Sequence, residues 1–184
     1  MDTKTTSVLK KLEETQHDFW NISHATGNFL NMLVKMVNAQ NVVEVGTSNG
    51  YSGIWLAKAL KETGGHLTTI EYYDKRQKLA IENFAKCGTL DIVRPLQGSA
   101  CEIIEALSKD EMFDFVLIDA NKSEYVKYFE LIKPHLNKNA LIVADNITSH
   151  PEKVQSFIDS VASDKSFRHE IINVPGGILI AYKL

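Results

Sequence analysis

Phe113-Asp-Phe-Val-Leu-Ile-Asp119, followed by Ala120, Asn121 and Lys122, is the stretch whose reading decides the fold. An apolar run meets an acid at its end, and Ala140-Leu-Ile-Val-Ala-Asp145-Asn146 repeats the arrangement. Such runs read as strands buried on both faces, as in a parallel sheet sandwiched between helices. Open parallel sheets bind ligands just beyond the carboxyl ends of their strands. Asp119, Asp145 and Asn146 are therefore expected in one crevice as three oxygen ligands, with the Lys122 ammonium close by. Hard oxygen donors suit Mg²⁺ or Ca²⁺ rather than Zn²⁺.

Outward from these two strands the pattern alternates. Val8, Leu12 and Phe19 make a loose helical stripe over Val8 to Phe19, and Phe29, Leu30, Leu33, Val34, Met36 and Val37 a stronger one. Strands are predicted at Asn41 to Val45, His66 to Ile70 and Asp91 to Leu96. Helices are predicted at Gly50 to Leu60, at Asp74 to Ala85 with Asp74 as N-cap, and at Ser99 to Leu107. A helix from Tyr125 to Ile132, limited by Pro134, separates the two acid-tipped strands. Pro151 to Val161 is a further helix with Pro in its first turn. Arg168 to Asn173 and Ile178 to Tyr182 read as an antiparallel hairpin across Pro175-Gly176-Gly177. Repeated βα units predict an α/β, Rossmann-like, doubly wound and mostly parallel seven-stranded sheet, closed by that hairpin, with helices on both faces. No linker, repeat or low-complexity segment is visible. The expectation is a single domain over residues 1–184, with residues 1–38 as a helical lid or cap.

The totals bound the function classes. The chain has 184 residues, 44% of them apolar and 23% charged, and a formal net charge of −3. That length can bury a substantial core. The acidic balance and the lack of any Lys/Arg block argue against broad nucleic-acid binding, while leaving a small RNA substrate open. Cys87 and Cys101 have no metal or redox spacing and read as buried free thiols. The polar start has no signal-peptide core, and no apolar stretch reaches membrane-spanning length. A cytoplasmic protein without membrane contact is expected.

Glu44-Val-Gly46-Thr-Ser-Asn-Gly50-Tyr-Ser52 lies between the first strand of the sheet and the following helix. Its Gly-x-x-x-Gly spacing matches neither the dinucleotide fingerprint nor a P-loop. Glu71 ends the second strand, where an acid accepts hydrogen bonds from ribose hydroxyls. Together they point to an adenosine-containing ligand with no requirement for a diphosphate. A plain strand-to-helix turn and a solvated Glu71 fit the same residues. Glu44 between Val43 and Val45 is harder to dismiss, because a buried acid is costly without donors or a cation. Asp119 and Asp145, taken singly, could equally be helix N-caps. Lys122 alone would be a surface lysine, and Trp20 could anchor the N-terminal helices in the core. Tyr72-Tyr73 reads as half core and half surface. His24, His135, His150 and His169 lack ligand-like spacing.

Glu-x-Gly-x-x-x-Gly-Tyr-Ser, an acid after the second strand, Ile-Asp-Ala-x-Lys and Val-Ala-Asp-Asn occur in that order. From about Trp20 to the C-terminus the chain resembles the cation-dependent O-methyltransferases: catechol O-methyltransferase, the plant caffeoyl-CoA enzymes and their bacterial relatives. The resemblance implies S-adenosylmethionine (SAM) as methyl donor and Mg²⁺, Mn²⁺ or Ca²⁺ as metal. It places Glu44, Gly46 and Ser52 at the methionine half of SAM and Glu71 at the ribose. Tyr72 falls against the adenine, Ser99 and Ala100 at the edge of the base, and Ile22 near the sulfonium. Asp119, which also borders the cofactor, joins Asp145 and Asn146 as metal ligands. Lys122 is implied as the catalytic lysine, with Trp20 and Asn121 beside the acceptor. Relatives usually carry an acid where Asn121 stands and an Asp-Gly pair where Pro175-Gly176-Gly177 stands. The segment before Trp20 is short, so closure over the acceptor could be looser or come from another subunit.

These roles are chemically coherent. The sulfonium is already activated, whereas a phenolic acceptor has a pKa of about 10. A divalent cation lowers that value, and Lys122 can then take the proton. The expected reaction is methylation of a hydroxyl on a small catechol-like or hydroxylated aromatic molecule. Rival readings are a hydroxylated nucleoside in RNA as acceptor, an NAD-dependent oxidoreductase on the same fold, and an idle SAM-binding module. Fold analogy adds a homodimer, by association only.

Overall fold

A seven-stranded sheet in the order β3-β2-β1-β4-β5-β7-β6 organises the computed structural model, which describes residues 2–184. β1 (Asn41–Val45), β2 (His66–Glu71), β3 (Val93–Gln97), β4 (Phe113–Ile118) and β5 (Leu136–Ala144) run parallel. β6 (Phe167–Ile172) and β7 (Ile178–Lys183) form the antiparallel hairpin, with β7 pairing against β5. The helices are α1 (Thr3–Glu14), α2 (Gln16–Phe19), α3 (His24–Met36), α4 (Tyr51–Thr63), α5 (Asp74–Lys86), α6 (Ala100–Glu105), α7 (Tyr125–Ile132) and α8 (Pro151–Ser163).

Alternation along the strands builds two apolar layers, one on each face of the sheet. Val42, Phe115 and Leu117 pack with Leu30, Val34, Trp55 and Phe84 on one side. Val43, Val116 and Ile118 pack with Ile104, Phe129 and Phe157 on the other. Burial on both faces explains why β4 reads as a continuous apolar run.

Register then delivers the acids to one place. Val45 pairs with Ile118, and Ile118 with Ala144. The next residues, Gly46, Asp119 and Asp145, therefore leave the sheet in one row. The Asp119 N–H bonds the Val45 carbonyl at 2.9 Å, and the Asp145 N–H bonds that of Ile118 at 3.0 Å. Strand order reverses between β1 and β4, the switch point at which open α/β sheets leave a crevice.

Several expectations need correction. The helix expected over Val8 to Phe19 breaks at Thr15 (φ −111°), giving α1 and a short α2 that ends on Trp20 in the left-handed region. Asp74 is the first residue of α5 rather than its cap; Tyr73 holds the cap position with no side-chain bond. β5 begins four residues before Ala140: buried Leu136 pairs with Phe113, and the polar Asn137-Lys-Asn139 falls in the register shift between Phe113 and Phe115. Neither Asp119 nor Asp145 caps a helix. Asn121 does, accepting from the Ser123 N–H at the short 3₁₀ turn Lys122–Glu124. Both cysteines are free and buried. Among the described residues, no helix is long and apolar enough to cross a membrane.

Candidate functional site

The crevice at the switch point is a cavity of about 680 Å³. Its floor is the glycine loop after β1. Gly46 has φ 105°, and a Cβ there would lie 2.1 Å from the Asp119 carbonyl oxygen. Only glycine lets the loop pass this close beneath the tip of β4.

At one end of the cavity lies Glu71. Its Oε2 accepts from the Ser48 N–H and its Oε1 from the Tyr73 N–H, both at 2.8 Å. Two backbone donors fix the carboxylate, and each oxygen keeps a lone pair for a ligand hydroxyl. Tyr72, Ser99 and Ala100 border the same end, and Ile22 and Ser52 lie along the walls. Tyr72 and Tyr73 are 65% and 59% exposed and meet edge to face at 5.2 Å, so neither is half in the core.

Glu44 takes a different position from Gly46 and Ser52. It is completely buried and does not line the cavity. Its Oε1 accepts from Ser52 Oγ at 2.6 Å and its Oε2 from Thr69 Oγ1 at 2.5 Å. Burial pushes its carboxyl up to about 7 against those two bonds, and the charges of Asp119 and Glu71 add to the push. Glu44 therefore braces the loop from behind and holds Ser52 in place.

At the other end Asp119, Asp145, Asn146 and Lys122 converge. Asn146 Nδ2 donates to Asp119 Oδ1 at 3.0 Å and to Asp145 Oδ2 at 3.2 Å. Lys122 Nζ donates to Asp119 Oδ1 at 3.1 Å. Asn146 reaches inward because its backbone is left-handed (φ 63°), a conformation asparagine tolerates. Burial pushes the Asp145 carboxyl up to about 7, and the neighbouring Asp119 charge reinforces it. Two carboxylates this close repel, and an amide plus one ammonium only partly offsets them. Among the described residues no three His, Cys, Asp or Glu side chains group as a metal set; the third donor here is an amide. Rotating the Asn146 amide would turn its oxygen inward and complete an all-oxygen set that fits a hard dication.

Sequence reasoning missed the residues that support this cluster. Fully buried Tyr125 donates its hydroxyl to the Asp145 carbonyl at 3.1 Å, and the Lys122 ammonium lies 5.9 Å from its ring. The run Tyr125 to Ile132 reads only as an apolar helix, so nothing local marks this role. Asn121 faces the cavity and also donates to Glu124 Oε2 at 3.1 Å.

The cavity roof comes from the N-terminal segment. Trp20 is 74% exposed, which overturns the core-anchor reading, and the Arg76 guanidinium stacks 4.9 Å from its ring. Ser48 Oγ donates to the Phe19 carbonyl at 3.0 Å, tying α2 to the glycine loop. Arg76 was invisible as a partner because 55 residues lie between it and Trp20 in the sequence.

The family model of the O-methyltransferases matches residues 2–184. The catechol O-methyltransferase of Niastella koreensis is 37% identical over 128 residues, which cover 68% of this chain and 58% of that protein. Caffeoyl-CoA O-methyltransferase 1 of Eucalyptus globulus is 33% identical over 145 residues, covering 75% and 58% respectively. The chain thus spans less than two thirds of the length of these curated relatives. Among solved structures, the O-methyltransferase from Bacillus cereus in complex with SAH (S-adenosylhomocysteine) superposes with a TM-score of 0.88 at 26% identity. That superposition covers 100% of this chain and 92% of the other.

Proposed function

The chain belongs to the O-methyltransferase family that includes the catechol and caffeoyl-CoA enzymes, and on that premise we propose that it transfers a methyl group from SAM to a hydroxyl of a small catechol-like aromatic acceptor, with a divalent cation at Asp119, Asp145 and Asn146. The observation that carries this reading is that Lys122 Nζ and Asn146 Nδ2 both meet Asp119 Oδ1, while Asn146 Nδ2 also reaches Asp145 Oδ2. When bound, SAM supplies an activated methyl group and the cation supplies a Lewis acid for the acceptor hydroxyl.

The chain's own residues would do the rest. Glu71 accepts from the ribose hydroxyls, and the bare backbone at Gly46 lets the donor lie close to the floor. Ser52, held by Glu44, and Ile22 border its methionine half, with Tyr72, Ser99 and Ala100 around the base. Asp119 orients Lys122, whose amine takes the acceptor proton at Nζ. Trp20 and Asn121 flank the acceptor, and residues 1–38 serve as its cap. Holding the reacting atoms in line is the larger part of the rate gain in such a transfer.

Methyl transfer from labelled SAM to a panel of vicinal diols, with and without chelator, tests the proposal. Turnover that chelator abolishes and Mg²⁺ restores is the expected result. Turnover indifferent to chelator would remove the cation from the mechanism while sparing the methyl transfer.

A further inference from the structure

Charge in the cavity is unevenly satisfied. Its carboxylates are all bonded within the chain. Glu71 accepts from two backbone N–H groups, Asp119 from Lys122 and Asn146, and Glu124 from Asn121 and, at 2.7 Å, from the Tyr128 hydroxyl. Of the lining cations Arg76, Lys122 and Lys153, only Lys122 has an acidic partner among the described residues. A chain with a formal net charge of −3 thus lines this crevice with two unclaimed cations.

Arg76 differs from Lys153 in being held. It is half-buried in the first turn of α5, whereas Lys153 is exposed in the first turn of α8. The Arg76 guanidinium carbon lies 4.9 Å from the centroid of the Trp20 ring and 5.4 Å from that of the Tyr73 ring. The two rings restrain the group, while its N–H donors have no oxygen partner among the described residues. A restrained planar fork loses little freedom on taking a ligand and matches a carboxylate through two parallel bonds. An ammonium on a free stem offers neither advantage. Trp20 belongs to the cavity roof and Tyr73 follows the Glu71 end, so the fork stands where roof and wall meet.

We propose that Arg76 determines acceptor specificity by binding a carboxylate carried on a tail of the aromatic diol. The acceptor class is then an acidic catechol. This inference rests on the methyl-transfer reading, in which Trp20 covers the acceptor. The diol occupies the Asp119 end, and its tail runs beneath Trp20 to the guanidinium. Lys153 adds attraction for an anion without fixing its orientation. Toward a neutral diol Arg76 acts only through the Trp20 ring.

Kinetics with SAM and calorimetry with SAH, both on the full chain with Mg²⁺, test this. The probes are catechols carrying a carboxylate on alkyl tails of increasing length, each compared with its primary amide. In the native chain the best acid should have a KM about 10–100-fold below that of its amide at similar kcat, the usual worth of hydrogen bonds to a charged group. Arg76→Ala should erase that ratio by raising KM for the acid while changing the amide little. Arg76→Lys should restore only part of it, since the charge returns without the fork. Lys153→Met should leave the ratio nearly intact. A native chain that treats acid and amide alike overturns the proposal, as does a ratio that survives Arg76→Ala or disappears in Lys153→Met. A phosphate ester preferred to every carboxylate overturns the choice of ligand. If no diol is turned over, the methyl-transfer reading fails by itself. Calorimetric binding of acids and amides needs no turnover and still decides the role of Arg76.

Discussion

Lys122 Nζ and Asp119 Oδ1 lie 3.1 Å apart, three residues apart on the turn that follows β4. Both side chains are largely sheltered, with 20% and 15% of their surface exposed. The acid at the strand tip thus aims the amine into the cavity.

Lys122→Met should lower turnover by ~10²–10⁴-fold, the usual contribution of a positioned proton acceptor. Lys122→Arg keeps the charge and a bond to Asp119 but holds its proton permanently, so it should be equally slow. Calorimetry with SAH should show affinity nearly unchanged in both. An active Lys122→Arg variant would assign the residue to electrostatics alone.

Mg²⁺ should raise the melting temperature of the native chain through preferential binding to the folded state. Asp145→Asn and Asn146→Ala should each erase that shift. Asp145→Asn should also melt no lower than the native chain in chelator, because it removes one of two repelling buried carboxylates. A Mg²⁺ shift that survives both substitutions would place the cation elsewhere.

Glu44 makes stability fall as pH rises. In the folded chain its carboxyl keeps its proton up to about 7, whereas its ordinary value is 4.5. Below 4.5 both states are protonated and nothing is lost. Between 4.5 and 7 the unfolded chain ionises first, so the folded state is progressively disfavoured, by about 3 kcal/mol at most. Above 7 the loss is complete and constant. Urea unfolding at pH 5 and pH 8 should show Glu44→Gln gaining on the native chain as pH rises. Parallel curves for the two proteins would contradict this.

Gly46→Ala should destabilise by ~3 kcal/mol, from positive φ together with overpacking against Asp119. SAH binding should be lost with it, since the loop must move off the tip of β4. Thermal melts and calorimetry check both effects.

Trp20→Ala should leave stability within about 0.5 kcal/mol, as expected for an exposed side chain. It should raise KM for the acceptor more than it lowers kcat. Arg76→Ala should do the same more weakly, because its link to the site is the stacked Trp20 ring. Equal effects on kcat and KM would assign Trp20 to the chemistry instead of the cover.

Much of the fold was legible because burial writes itself into sequence. β4 and the apolar part of β5 are continuous hydrophobic runs since helices cover both faces. The acids beyond them stood out as a set: each alone could be a helix N-cap, but two strands ending in acid, with Asn146 and Lys122 beside them, point to one crevice. The start of β5 was not legible, because the polar Asn137, Lys138 and Asn139 lie in the register shift that separates Leu136 from the apolar run. The break at Thr15 was equally hidden, since Val8, Leu12 and Phe19 suit one helix or two.

The site divides along the same line. Local pattern is enough to name Asp119, Lys122, Asp145 and Asn146, because strand ends are determined by short-range hydrophobicity and the crevice by strand order. Position in depth is a tertiary property. Glu44 and Glu71 look alike in sequence, each an acid after β-branched neighbours, yet packing buries one behind the loop and leaves the other facing the cavity. The same holds for Tyr125 under Asp145 and Arg76 over Trp20. These contacts join segments far apart in the chain, and only the register of β1, β4 and β5 brings them within reach.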